Sequence, residues 1–169
     1  MSPTIWNVSL PAPAGSDSLI VVVPGIVPGL IGSENVTVNE SPLASNRPLV
    51  VPGVRLVLIG TGSELQLAVE AQKLLAEKDI TATVVSMPCV EWFESQPAEY
   101  RDKVLPPAVS ARVAVEAAVA QSWYKLVGDT GEIVSIEHYG ESADDKTLFR
   151  EFGFTPEAVV AAAERSLDN

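Results

Sequence analysis

The spacing of apolar positions switches from strand-like to helix-like between Val54 and Leu75. Val54-Arg55-Leu56-Val57-Leu58-Ile59 is a short run of mostly branched apolar residues, which predicts a strand covered on both faces. Gly60-Thr61-Gly62-Ser63 supplies a tight turn, since glycine reaches backbone conformations closed to other residues. Beyond it, Leu67, Ala68, Ala71, Leu74 and Leu75 recur at helical spacing, the stripe of a helix that packs on a sheet. Ser63 stands at the N-cap position, Gln66 completes a capping box, and Glu64 complements the positive end of the helix. The pattern then repeats. Thr81–Ser86 predicts a second strand about twenty residues on, the separation that parallel pairing through a helix requires. Ala111–Val115 and Glu132–Ile136 predict a third and a fourth. Helices are predicted over Glu99–Leu105, stopped by Pro106-Pro107, and over Ala117–Val127, closed by Gly128. Two more are predicted over Asp144–Phe152 and from Thr155-Pro156-Glu157 to about Ser166. Strands alternating with helices imply a mainly parallel sheet with helices covering it.

The N-terminal part reads differently. No Lys or Arg occurs from Met1 to Asn46, while Pro3, Pro11, Pro13, Pro24, Pro28 and Pro42 punctuate the segment. The apolar run Leu19–Ile31 is broken by Pro24-Gly25 and Pro28-Gly29 and is shorter than the ~20 residues a membrane span needs. No basic region precedes it, so no secretion signal is expected. We expect one strand at Leu19–Val23, then a loop-rich linker ending at Pro52-Gly53. The chain thus divides into an atypical Pro/Gly-rich extension, 1–53, and an α/β domain, 54–169. A net charge of -11 argues against nucleic acid or an anionic membrane as partner, because both demand clustered Lys and Arg. Cys89 is the single cysteine, which excludes an internal disulfide and fits a cytoplasmic protein.

Candidate chemistry gathers at the predicted strand ends. Gly60-x-Gly62 is the first half of a dinucleotide fingerprint, but Leu65 fills the place of the third small residue and Glu64 puts negative charge where phosphate would sit. A turn that needs glycine for geometry is the simpler account. His138 and Glu137 close the fourth strand and Glu116 the third. His138, the only histidine, would serve as a general base or pH-sensitive contact oriented by Glu137 or Glu116; the alternative is a hydrogen-bonded structural histidine. One histidine, one cysteine and no close carboxylate cluster leave zinc short of ligands. Cys89 lies between Pro88 and the acids Glu91 and Glu94, which favours a packed, unreactive thiol. Trp92, Phe93, Trp123 and Tyr124 read either as core or as a recognition surface, with Trp92-Phe93 in a loop-like stretch.

Several blocks together resemble the C-terminal domain of microbial transketolases over about residues 54–167. They are Leu58-Ile59-Gly60-Thr61-Gly62-Ser63-Glu64, Ser86-Met87-Pro88-Cys89-Val90-Glu91-Trp92-Phe93 and Leu105-Pro106-Pro107-Ala108-Val109. Arg112-Val113-Ala114-Val115-Glu116-Ala117, Ile136-Glu137-His138-Tyr139-Gly140 and Ser142 to Phe149 continuing to Phe154-Thr155 follow in the same order. The resemblance implies a three-layer α/β sandwich around a mainly parallel, mixed sheet of about five strands, the fifth lying in the extension or before the last helix. It implies a transferase family of the pentose phosphate pathway that moves two-carbon ketol units between sugar phosphates, with thiamine diphosphate and a divalent metal held by two preceding domains. Gly128-Asp129-Thr130-Gly131 is not that family's Gly-Asp-Gly motif, and no asparagine lies between Asn46 and Asn169 to serve as its metal ligand. No catalytic, cofactor-binding or metal residue is therefore expected here, and the chain alone is expected to be non-catalytic. Its role would be structural, interfacial or regulatory, with the thiamine-binding domains or a second copy as partner. Two further readings are a subunit of a split transketolase and a small-molecule sensor. For the sensor, the ligand surface would be Gly60, Thr61, Gly62, Ser63, Glu116 and His138.

Overall fold

The computed structural model describes the backbone of Trp6–Ser9, Leu19–Val22 and Thr37–Asn39 and all of residues 53–169. Within the expected loop-rich linker between Val23 and Pro52, Thr37–Asn39 is a strand instead of loop, and the rest of that segment lies outside the described residues. Seven strands form one sheet: β1 (Trp6–Ser9), β2 (Leu19–Val22), β3 (Thr37–Asn39), β4 (Leu56–Gly60), β5 (Ala82–Ser86), β6 (Arg112–Val115) and β7 (Glu132–Val134). Their order is β3-β1-β2-β5-β4-β6-β7. From β2 to β7 every neighbouring pair is parallel, and β1 runs antiparallel to both β2 and β3. The four strands anticipated in the domain are present, and β2 supplies the fifth parallel strand from the extension.

Alternation along the strands divides the core in two. Leu56, Leu58, Val84, Val113 and Val115 face α1 (Leu65–Ala76) and α6 (Pro156–Asp168). Val57, Ile59, Val85 and Ala114 face the opposite layer, built from α2 (Val90–Glu94), α3 (Ala98–Val104) and α4 (Tyr124–Val127). Both faces are covered, so β4 reads as an unbroken apolar run, and each fully buried leucine contributes roughly 1.5–3 kcal/mol. This is the three-layer sandwich. The last helix before α6 is α5 (Asp145–Glu151), capped by Asp144, whose carboxylate accepts the Thr147 N–H at 3.0 Å. Thr155 caps α6 in the same way, through Ala158 N–H at 3.2 Å.

Three local expectations are corrected. Ser63 does not cap α1: residues Gly62–Glu64 form a 3-10 turn that runs into the helix, so Ser63 is already inside a helical turn and no side chain caps it. Ala117–Val127 is not one helix. The Glu137 carboxylate accepts the Ala120 N–H at 2.8 Å and Val119 is extended, which leaves a 3-10 turn at Ala120–Ser122 and the short α4. Trp92-Phe93 is helical, not loop, because Phe93 turns into the core and its N–H reaches the Cys89 carbonyl at 3.2 Å.

The amino edge of the sheet is tied by two side chains. The half-buried Arg112 donates Nε to Val109 O at 3.0 Å, Nη1 to Leu126 O at 2.8 Å and Nη2 to Pro106 O at 3.0 Å. Burial lowers the pKa of its guanidinium. Ser166 of α6 accepts the Arg112 N–H at 3.1 Å and donates to Thr130 O at 2.9 Å, joining α6 to the starts of β6 and β7.

Candidate functional site

The chain runs from β4 through α1 to β5 on one side, then crosses to β6 on the other side of β4. Connections therefore leave β4 and β6 in opposite directions, and in a parallel sheet a crevice opens beyond the carboxyl ends at such a switch point. The Gly60–Ser63 turn sits at this place, with Gly60 in register with Val115 and Glu116 next in the chain.

The two glycines act for different reasons. Gly62 has φ +54, a left-handed conformation that favours glycine. Gly60 has ordinary backbone angles but no room: a Cβ there would lie 3.2 Å from Leu65 Cα and 3.4 Å from Val115 Cγ1. Gly60 thus lets α1 close on the strand end.

Glu64 and Glu116 form the electrostatic centre of the edge. Glu64 is only 6% exposed, at the end of the 3-10 turn that runs into α1. Glu116 is half-buried, and its Oε2 has no hydrogen-bond partner among the described residues. Burial, and then the neighbouring Glu64 charge, raises the Glu116 carboxyl above its ordinary range. The sequence put Glu116 among the candidate ligand residues but left Glu64 out, although it read Glu64 as the charge at the glycine turn. Its place one residue after the glycine turn was the available signal.

His138 lies apart from this pair. Its Nδ1 donates to the Tyr139 carbonyl at 2.7 Å, and its ring stands edge-on to Phe152 with centroids 5.0 Å apart. Glu137, expected to orient it, instead accepts from Ala120 N–H and, at 2.9 Å, from the Ser135 hydroxyl. Among the described residues no hydrogen bond joins His138 to Glu116 or Glu137. Cys89 is half-buried and its thiol donates to Glu91 Oε2 at 3.4 Å. Glu91's own backbone N–H and then this thiol hold that carboxyl below its usual range. Trp123 and Phe93 belong to the core, whereas Trp92 and Tyr124 are exposed.

Thiamine diphosphate does not fit this donor set. A diphosphate at the glycine turn would meet the buried Glu64 and the Glu116 carboxyl, and the described residues hold no group of three or more His, Cys, Asp or Glu able to bind its metal. Among the described residues no helix is long and apolar enough to cross a membrane.

Comparison with known proteins fits this geometry. Residues 50–155 match the family model described as a transketolase-like C-terminal domain. The chain is 82% identical over 114 residues to a transketolase of Mycobacterium leprae, covering 68% of this chain and 16% of that protein. It is 53% identical over 112 residues to transketolase 1 of Escherichia coli, covering 66% of this chain and 17% of that protein. The solved transketolase of Leishmania mexicana superposes with a TM-score of 0.65 at 40% identity, covering 70% of this chain and 17% of the other. The chain therefore spans about one sixth of the length of these relatives, 16% and 17% in the two sequence comparisons. Family match, layer order and switch-point topology agree, and the chain belongs to the transketolase family as a C-terminal domain of the bacterial type.

Proposed function

We propose that residues 54–169 act as the assembly module of a thiamine-dependent ketol transferase in the cytoplasm, without catalytic activity of their own. The observation that carries this reading is the acidic strand edge. Glu64 and Glu116 occupy the place where an anion-binding turn would need exposed amides and positive charge, so sugar phosphate and diphosphate chemistry must be supplied by a partner surface. The partner in this reading is a chain or segment that carries the thiamine-binding domains.

Calorimetry and turnover test it together. Purified chain titrated with thiamine diphosphate and magnesium is expected to give no binding heat and to transfer no ketol unit from xylulose 5-phosphate. Turnover by the purified chain alone overturns the reading.

A further inference from the structure

The amino edge of the sheet carries a hollow of about 250 Å3. Six residues line it: Ser110 and Arg112 at the entry to β6, and Val127, Gly128, Asp129 and Thr130 on the stretch from α4 to β7. Its walls are fixed. Thr130 Oγ1 donates to Ser110 O at 3.1 Å and joins the two sides, while Ser166 of α6 holds both the Arg112 N–H and the Thr130 carbonyl. A preformed hollow spares a ligand the cost of ordering it.

Most of the Arg112 guanidinium is spent as a tie, but not all of it. The group has five N–H donors. Nε donates to Val109 O, Nη2 to Pro106 O and, at 3.4 Å, to Leu105 O, and Nη1 to Leu126 O. The fifth donor, also on Nη1, has no acceptor among the described residues. The Nη1 acceptor belongs to the peptide that leads into the lining residue Val127.

Charge selects the ligand. Arg112 is half-buried and makes no ion pair among the described residues, and neither does the exposed Asp129 in the same hollow. Two opposite charges therefore share one hollow without pairing. A plain anion would meet Asp129 and a chain of net charge -11, whereas a plain cation would meet the guanidinium. A zwitterion answers both, since a carboxylate takes the free N–H and an ammonium group takes Asp129. Val127 and the bare backbone of Gly128 leave an apolar wall for the rest of the ligand.

We infer that this hollow is a binding site for a small zwitterion, an α-amino acid with an aliphatic side chain, held between Arg112 and Asp129. The test is a titration of the full chain followed by the amide NMR signals of Ser110 and of residues 128–130. Three probes share one branched side chain: L-leucine, 4-methylpentanoic acid, which lacks the ammonium group, and 3-methylbutylamine, which lacks the carboxylate. Leucine is expected to shift these signals with a Kd of about 1–10 mM, the strength of a charge-assisted contact and an exposed ion pair in an open site. The amine should bind at least about tenfold more weakly and the acid at least about threefold more weakly. Asp129→Asn should weaken leucine about threefold and remove its advantage over the acid. Ser110→Leu, at an exposed position, should fill the hollow and abolish the shifts. Arg112 is left in place because its loss would unfasten the edge, and circular dichroism with urea midpoints confirms that each variant is folded. Signals that stay still up to about 50 mM leucine overturn the inference. Equal binding of the acid assigns a simple anion site and overturns it too, as does leucine binding that Asp129→Asn leaves unchanged.

Discussion

Ser166→Ala removes one oxygen from the point where α6 meets the sheet, and its cost can be worked from the partners left behind. Ser166 is 3% exposed, accepts the Arg112 N–H at 3.1 Å and donates to Thr130 O at 2.9 Å. Without the hydroxyl, the Arg112 amide loses its acceptor at the first residue of β6, a part-buried donor whose orphaning costs about 1–3 kcal/mol. The Thr130 carbonyl fares better, since Asn169 Nδ2 also approaches it, at 3.5 Å. The side chain shrinks by one atom, so the cavity term is small. The sum is about 2 kcal/mol. For a domain of this size, with a urea m-value of roughly 2 kcal/mol/M, the midpoint falls by about 1 M. Equilibrium urea unfolding read from tryptophan fluorescence measures it, with the buried Trp123 as reporter. Ser63→Ala is the matched control: Ser63 is exposed and caps nothing, so its midpoint should shift by less than the equivalent of about 0.5 kcal/mol. A loss below about 0.5 kcal/mol for Ser166→Ala refutes the linkage argument. A loss near 1 kcal/mol for Ser63→Ala would restore the capping box read from the sequence.

Glu116 should leave a signature in the pH dependence. Its folded-state pKa is raised, so the folded state holds the proton more tightly than the unfolded chain does. The stability this provides is complete below the ordinary carboxylate range and is lost as pH rises through the raised value. Glu116→Gln should therefore flatten the stability curve on its mildly acid side and equal or exceed wild type at neutral pH; midpoints that track wild type throughout contradict the buried-pair account. Tyr100 is buried and its phenol is pushed up to about 12 by desolvation, so the folded state again holds the proton longer. Wild-type stability should fall as pH climbs from about 10 towards 12, and Tyr100→Phe should remove that component. Thr83 is 2% exposed and its hydroxyl has no partner among the described residues. Thr83→Val replaces it at nearly constant shape and should raise stability by about 1 kcal/mol in thermal or urea unfolding, whereas a comparable loss would mean the hydroxyl is bonded in solution.

The order of elements in the domain was legible in the sequence because local patterns enforce it. The apolar run Leu56–Ile59 can only be satisfied by cover on both faces, and Thr155-Pro156 can only begin a helix, so β4 and α6 appear where the pattern puts them. Blocks such as Ser86-Met87-Pro88 and Glu137-His138-Tyr139 carried the family for the same reason: they are short, contiguous and specific. Contacts between distant segments were not legible. Ser63 loses its capping role because the turn closes one residue earlier, around Gly62, and the helix predicted from Ala117 is interrupted because Glu137, far along the chain, takes the Ala120 amide. Gln72 lies on the α1 stripe as a buried polar residue only because Ala82 O, at the start of the next strand, accepts its amide at 2.8 Å. The candidate site shows the division most clearly. Residue types and strand ends marked Gly60–Ser63, Glu116 and His138, but the crossing of the chain about β4 set Glu64 beside Glu116 and left His138 against Phe152. Sequence periodicity decides which face of each element is buried. Which charges then meet depends on strand order, a property of the whole sheet that no local window contains.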